Sequence, residues 1–331
     1  MKREFTDAVC CPGCGASDMS FEVVEEDAVE IRDGRLICQG CRSSFEIAGG
    51  IVKMLDEPDA VVVDEVKGWH ELAGPLDESL VATMLQLPSY PHPPWAHVAP
   101  DFFQVFDTVD LSGARVVDIG AGRTWSSRYL KLLGGASEVV AVDILATRFL
   151  GLETADIYFA HDRVHFERML ADFHRIPLRD GWADVVFSCA SVHHSSNLDR
   201  AFHEFARVLR PGGQLILVSE PSKRSAITAT RPENEETAVG INEHIYAYSE
   251  YSRALKGAGF RFRRMAPRSV TRRTLFQDDE LLAGLPLVMR RVVRTPRGRR
   301  MLLAALRSAA ISRVLYHFAS LPLSLIAWKR S

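Results

Sequence analysis

Unbroken apolar runs punctuate the middle of the chain: Val116-Val117, Val139-Val140-Ala141-Val142, Val185-Val186-Phe187 and Leu215-Ile216-Leu217-Val218. A run without polar alternation suits a strand buried on both faces of a parallel sheet. The pattern predicts strands at 115–119, 138–143, 184–189 and 214–218, with a weaker one at 163–166. Two further strands, at 260–265 and 323–329, flank an arginine-rich stretch. Helical periodicity covers 61–72, 76–87, 101–109, 202–209, 249–258 and 301–318. Arg210-Pro211-Gly212-Gly213 stops the fourth of these. Strands alternating with helices predict an α/β fold.

The first fifty residues have a different texture. Cys11-Pro12-Gly13-Cys14 and Cys38-Gln39-Gly40-Cys41 are two Cys-x-x-Cys knuckles. Between them, strands are expected at 21–24 and 28–31, with Asp33-Gly34 as a hairpin turn before 35–38. Each knuckle can aim two thiolates at one ion, and together they make a closed, structural four-cysteine zinc site. Cys10 is an adjacent substitute ligand, but the Cys-Pro-x-Cys-Gly knuckle points to Cys11. So small a module has little core of its own, so the metal supplies much of its stability. Asp56-Glu57-Pro58-Asp59 then marks a boundary, and the proline-rich 88–95 forms a stiff loop upstream of the first parallel strand. The expected division is 1–56, a linker with helices and a flap at 57–95, and a main domain at 96–331.

The strand at 115–119 ends in Asp118-Ile119-Gly120-Ala121-Gly122-Arg123-Thr124-Trp125. Such a turn lies at the carboxyl edge of a parallel sheet, where open α/β folds bind ligands, although Gly-x-Gly also serves ordinary strand-to-helix turns. A dinucleotide site wants a third glycine where Trp125 stands, and a P-loop wants Lys-Ser/Thr after the glycines. Both are excluded. The second strand ends in Asp143, a carboxylate placed to accept ribose hydroxyls. Asp172-Phe173, Ser188-Cys189 and His193-His194 follow the later strands.

This series resembles the class I S-adenosylmethionine-dependent methyltransferases, notably the quinone-biosynthesis-like branch, over about residues 96–265. The resemblance implies a Rossmann-like seven-stranded sheet of order 3-2-1-4-5-7-6, with a basic helical insertion at about 275–320 between strands six and seven. It also implies that Asp118, Gly120, Gly122 and Thr124 line the methionine end of S-adenosylmethionine. Asp143 with Ile144 would hold the ribose, Asp172 and Phe173 the adenine, and Ser188 and Cys189 the mouth beside the sulfonium. Thr124 departs from the family's third glycine, so its hydroxyl either bonds the cofactor or caps the next helix. His193 and His194 are the candidate bases, histidine being suited by a pKa near ~6.5; an aromatic-histidine pair here also serves packing. Residues 6–56 resemble the zinc ribbon of the activator subunit of tRNA and translation-factor methyltransferases, with Arg42 where a glycine often follows the second knuckle.

Composition narrows the rest. With 331 residues, 47% hydrophobic and 25% charged, the chain reads as a soluble protein of about two domains. Its opening residues show no signal-peptide pattern, and no run is long enough to span a bilayer. Clustered rather than scattered cysteines fit a reducing cytoplasm. Charge is uneven: residues from 261 onward carry about +13 and the preceding ones about −15, for a net of −2. The basic insertion can meet a phosphate-bearing ligand, an anionic membrane surface or RNA. Absence of aromatics among its arginines favours the first two over RNA. The expected function is methyl transfer to a small or lipid- or sugar-linked acceptor, on oxygen. The alternatives are an RNA or protein methyltransferase gripping its target through the ribbon and insertion, and an inactive scaffold.

Overall fold

The computed structural model describes residues 1–92, 94–271 and 285–330. Its N-terminal part is an antiparallel meander of β1 (Met19–Glu26), β2 (Ile31–Cys38), β3 (Ser44–Ala48) and β4 (Ile51–Lys53). The hairpin turn lies at 27–30, not at Asp33-Gly34. Asp27 Oδ1 accepts from the backbone N–H groups of Val29 and Glu30 and closes the turn by itself. Gly34 sits inside β2 opposite Val23.

The next strands are β5 (Arg115–Ile119), β6 (Glu138–Asp143), β7 (Glu167–Leu170), β8 (Ala183–Cys189) and β9 (Leu209–Glu220). Two short strands, β10 (Ser222–Lys223) and β11 (Tyr246–Ala247), pair with each other, and β12 (Phe260–Met265) and β13 (Leu323–Lys329) complete the set. The main sheet runs β1-β2-β3-β4-β7-β6-β5-β8-β9-β13-β12. From β7 onward this is the expected order 3-2-1-4-5-7-6. The expected seven strands become eleven because β4 pairs in parallel with β7 and covers its free edge.

The third parallel strand is β7, four residues beyond the predicted position. Arg163 ends α5 (Ala155–Asp162) in the left-handed region, so the chain rejoins the sheet only at Glu167. Its Arg168 is fully buried: Nη2 donates to Glu30 Oε1 (2.7 Å) and Nη1 to Asp156 Oδ1 (2.8 Å). A charged strand thus joins the two parts.

The helices are α1 (Ala60–Leu72), α2 (Val81–Gln86), α3 (Trp95–Phe106), α4 (Trp125–Leu132), α5, α6 (Leu198–Val208), α7 (Glu235–Ala238) and α8 (Tyr248–Gly257). Three more, α9 (Leu287–Val293), α10 (Pro296–Arg307) and α11 (Ala309–Phe318), lie between β12 and β13. The single helix expected at 301–318 is broken by extended Ser308, whose hydroxyl accepts from Ile311 N–H to start α11. Residues 275–284 of the expected insertion lie outside the described residues. The predicted 76–87 helix is a 3₁₀ turn (Glu78–Leu80) leading into α2, and the 101–109 helix starts earlier, at Trp95.

Candidate active site

A cavity of about 490 Å³ opens at the carboxyl ends of β5, β6 and β8. Its floor is the turn after β5, where Gly120 and Gly122 adopt φ of +60° and +48°. A Cβ on Gly120 would fall 1.8 Å from Ser191 Oγ, so only glycine lets the turn after β8 close on it. Gly122 N–H donates to Asp143 Oδ2 (2.7 Å), and Leu145 N–H to Oδ1 (2.8 Å). Burial raises the Asp143 carboxyl to about 6.

Of the residues expected at the cofactor, Gly120, Gly122, Asp143, Ile144, Asp172, Phe173 and Cys189 line this cavity. Asp172 Oδ1 accepts from the backbone N–H and ring Nδ1 of His174 (2.9 and 2.8 Å); burial pushes its carboxyl up, but His174 holds it below its ordinary range. Asp118, Thr124 and Ser188 stand behind the wall. Asp118 Oδ2 accepts from Ser126 and Ser127 hydroxyls, both at 2.6 Å, pinning the first turn of α4, and burial raises it to about 7. Ser188 Oγ is 3.4 Å from Ser191 Oγ. Thr124 precedes α4 at φ +56°, fully buried, its hydroxyl neither capping the helix nor bonding any other group among the described residues.

His193 and His194 come from the single turn Val192–His194 after β8, their rings 4.3 Å apart. The fully buried Glu220, ending β9, accepts from the backbone N–H groups of Ser191, Val192 and His193 at 3.0–3.1 Å. Its Oε2 also lies 3.0 Å from His193 Nδ1. Burial, then His194, lower the His193 pKa. His194 Nδ1 faces Glu65 Oε1 of α1 at 3.2 Å; burial acts downward, but Glu65 overcomes it and the net shift is upward. The pair is therefore unequal: His193 favours the neutral base and His194 the imidazolium.

The roof is α1 with α7, which the sequence pattern did not assign. Gly68 lets them meet, since a Cβ there would lie 2.7 Å from Val239 O. Glu65 and Trp69, one helical turn apart, present a carboxylate and an indole beside His194. The i, i+4 spacing puts both on one helix face but does not by itself mark a site. Glu236 and Glu243 add carboxylates, and among the described lining residues Arg123 is the single arginine and there is no lysine. His244 and Tyr246 brace the histidine turn: His244 N–H donates to His193 O, and Tyr246 Oη donates to Ser195 O.

Away from the cavity, the thiols of Cys11, Cys14, Cys38 and Cys41 lie within 4.8 Å of one another. The Cys11–Cys41 and Cys14–Cys38 pairs are 3.6 and 3.5 Å apart. Tetrahedral zinc with Zn–S of ~2.3 Å would set such separations at about 3.8 Å. Cys10 is not in the group; its N–H donates to Pro177 O.

Residues 117–217 match the family described as "Methyltransferase domain". Malonyl-[acyl-carrier protein] O-methyltransferase of Methylovorus sp. (strain MP688) is 31% identical over 160 residues, 46% of this chain and 52% of that protein. Mouse tRNA (carboxymethyluridine(34)-5-O)-methyltransferase ALKBH8 is 29% identical over 132 residues, 38% of this chain and 17% of that protein. The chain thus spans about half the length of the first relative and less of the second. A solved Haloferax volcanii complex containing the Trm112 methyltransferase activator aligns with TM-score 0.46 and 16% identity, over 78% of this chain and all of that one. The core of this chain is a methyltransferase domain with the Rossmann-like α/β fold of that class.

Proposed function

We propose that the chain transfers a methyl group from S-adenosylmethionine to a hydroxyl-bearing acceptor, small or lipid- or sugar-linked. The observation that carries this is His193 on the wall of the cavity, held from behind by fully buried Glu220. The donor supplies an electrophilic methyl on a sulfonium; in-line displacement then needs alignment and, for a hydroxyl acceptor, removal of its proton. Asp143, Ile144, Asp172 and Phe173 would hold the nucleoside, and the turn at Gly120–Gly122 the methionine end. Glu220 fixes the His193 ring through Nδ1, which keeps Nε2 as the proton acceptor. His193 suits that task because burial keeps it neutral at pH 7.

The acidic lining limits the acceptor. With Glu65, Glu236 and Glu243 beside the histidines, and no lysine, the reacting end of the acceptor is uncharged or cationic and carries no phosphate. Both relatives named above are, by name, O-methyltransferases, which supports oxygen as the target. The four thiols are proposed to hold one structural zinc ion, whose closed ligand set leaves no position for substrate.

The test is methyl transfer from labelled donor to a panel of hydroxylated and amine acceptors. His193→Asn should slow turnover roughly 10²–10⁴-fold with donor binding retained. Turnover that survives this substitution would remove His193 as the base; methylated amines alone would replace oxygen with nitrogen.

A further inference from the structure

Among the described residues three helices, α9 to α11, lie between β12 and β13 in the chain, and each buries one side only. Val293, Leu302, Leu306 and Tyr316 face inward. The Tyr316 ring packs 5.3 Å from Tyr248 of α8, and Arg264 of β12 donates to Ser312 Oγ and Ala309 O. The helices are therefore fixed to the sheet's edge, and their outer faces are a built surface.

That outer surface mixes two residue types that solvated helices rarely combine without acids. Leu287 and Val288 are each 74% exposed, Met301 67% and Phe318 62%, with Ile311 and Val314 also exposed. Among them stand the exposed Arg291, Arg294, Arg297, Arg300, Arg307 and Arg313. Among the described residues none of these six forms an ion pair, and the sequence has no Asp or Glu after Glu280. Scattered single apolar side chains need no explanation. A set at helical spacing on α9 (Val288, Val292) and α11 (Ile311, Val314, Phe318), with Met301 on α10 and framed by arginines of one sign, does.

We propose that the outer faces of α9, α10 and α11 dock on an anionic membrane surface. Charge complementarity identifies the occupant. Arginines reach the headgroup phosphates while their stems and the aliphatic chains sink into the acyl boundary. RNA would use arginines alternating with aromatic platforms, yet residues 285–315 contain no aromatic side chain. An acidic protein would satisfy the arginines but leave Leu287, Val288 and Met301 without a purpose. No helix among the described residues is long and apolar enough to cross a membrane, so the contact is peripheral.

Val314 and Phe318 of α11 flank a shallow depression with Ser225 and Ala226. The same connecting segment continues into α7 and Glu243, which line the roof of the cavity. The docking itself does not depend on methyl transfer.

The test is cosedimentation of the full chain with vesicles, either phosphatidylcholine alone or with about a third phosphatidylglycerol, at about 0.1 M salt. Partitioning should be at least about tenfold stronger on the anionic vesicles and should weaken as salt rises. The L287S/V288S/M301S triple variant keeps every arginine and should lose about tenfold of that partitioning. R297Q/R300Q removes charge without removing aliphatic contacts and should lose a comparable amount. All substituted residues except the arginine stems are solvent-facing apolar chains, so unchanged melting temperatures are expected in both variants. Equal binding to the two vesicle types would overturn the proposal. So would a serine triple that binds as the wild type does, which would show that the apolar side chains take no part in the contact.

Discussion

His193 Nδ1 lies 3.0 Å from Glu220 Oε2, and the carboxylate that orients the ring also accepts three backbone N–H groups from the turn carrying it. One buried acid therefore sets both the position of the histidine turn and the tautomer of its first imidazole. Glu220 itself is pushed up by burial but held below its ordinary range by His193 and these donors.

Glu220→Gln can keep the Ser191 and Val192 backbone hydrogen bonds at its carbonyl oxygen, while it removes the charge and the acceptor facing His193. Turnover on any acceptor found is expected to fall roughly 10²-fold, within the range for loss of general-base assistance, with little change in donor affinity. The pH profile checks the sign. Activity needs neutral His193, whose pKa is already below the ordinary value, so the wild-type rate should rise with pH and level off before neutrality. Removing Glu220 withdraws a contribution that raises the pKa, so the residual activity of the variant should level off at still lower pH. A profile shifted upward would contradict the assignment.

The same depressed pKa acts on stability. An imidazole buried neutral is fully compatible with folding above its unfolded pKa, near ~6.5. As pH falls below that value the unfolded state binds the proton more readily, and stability drops until the folded pKa is passed. His193→Asn should flatten this part of the stability curve, measured by denaturant unfolding between neutral and mildly acid pH. An undiminished slope would place the titrating group elsewhere.

Thr124 is a β-branched residue in the left-handed region with a buried, unpartnered hydroxyl. Strain of about 1–2 kcal/mol and an unmade hydrogen bond both disappear in Thr124→Gly, against a smaller entropic cost in the unfolded chain. Net stabilisation of about 1 kcal/mol is expected by chemical denaturation. Donor affinity should change little, because Thr124 stands behind the cavity wall. A destabilised variant, or one with much altered donor affinity, would show that the hydroxyl has a ligand partner.

The meander with the four thiols, proposed to hold zinc, should matter to the cavity although it lines no part of it. β4 pairs with β7, Met54 N–H donates to Leu170 O, and the strand continues directly to Asp172. Chelating the metal, or Cys38→Ser, should lower the melting temperature and weaken binding of S-adenosylhomocysteine together. Glu30→Gln offers a metal-independent check. It removes the charge that faces buried Arg168 at 2.7 Å and leaves Asp156 as its remaining carboxylate, so a melting temperature lowered with the metal site intact is expected. A metal-free protein with unchanged melting and unchanged ligand affinity would separate the two parts.

What the sequence revealed follows from which interactions are local. Val116-Val117, Val139 to Val142 and Leu215 to Val218 announce strands because burial on both faces leaves only apolar residues. The sequence pattern places the third parallel strand four residues early because Glu167 and Arg168 look like surface residues; they are buried although Glu30 and Asp156, the partners of Arg168, come from distant segments. Asp33-Gly34 looked like a turn until Asp27 closed a better one six residues earlier. In the site, Asp143, Asp172 and the histidines could be read from their places after strands. Glu65 and Trp69 could not, since nothing in helix α1 tells which cavity it will roof.

The cavity at Gly120–Gly122 and Asp143 is proposed to bind the methyl donor. Asp143 is raised to about 6 by burial, and its ionised form is the better acceptor for ribose hydroxyls. Titration calorimetry of S-adenosylhomocysteine into the full chain tests this most directly. One site per chain is expected, with affinity that declines as pH drops below about 6 and is lost in Asp143→Ala. Absence of binding in the wild type, or binding undiminished by the substitution, would contradict it.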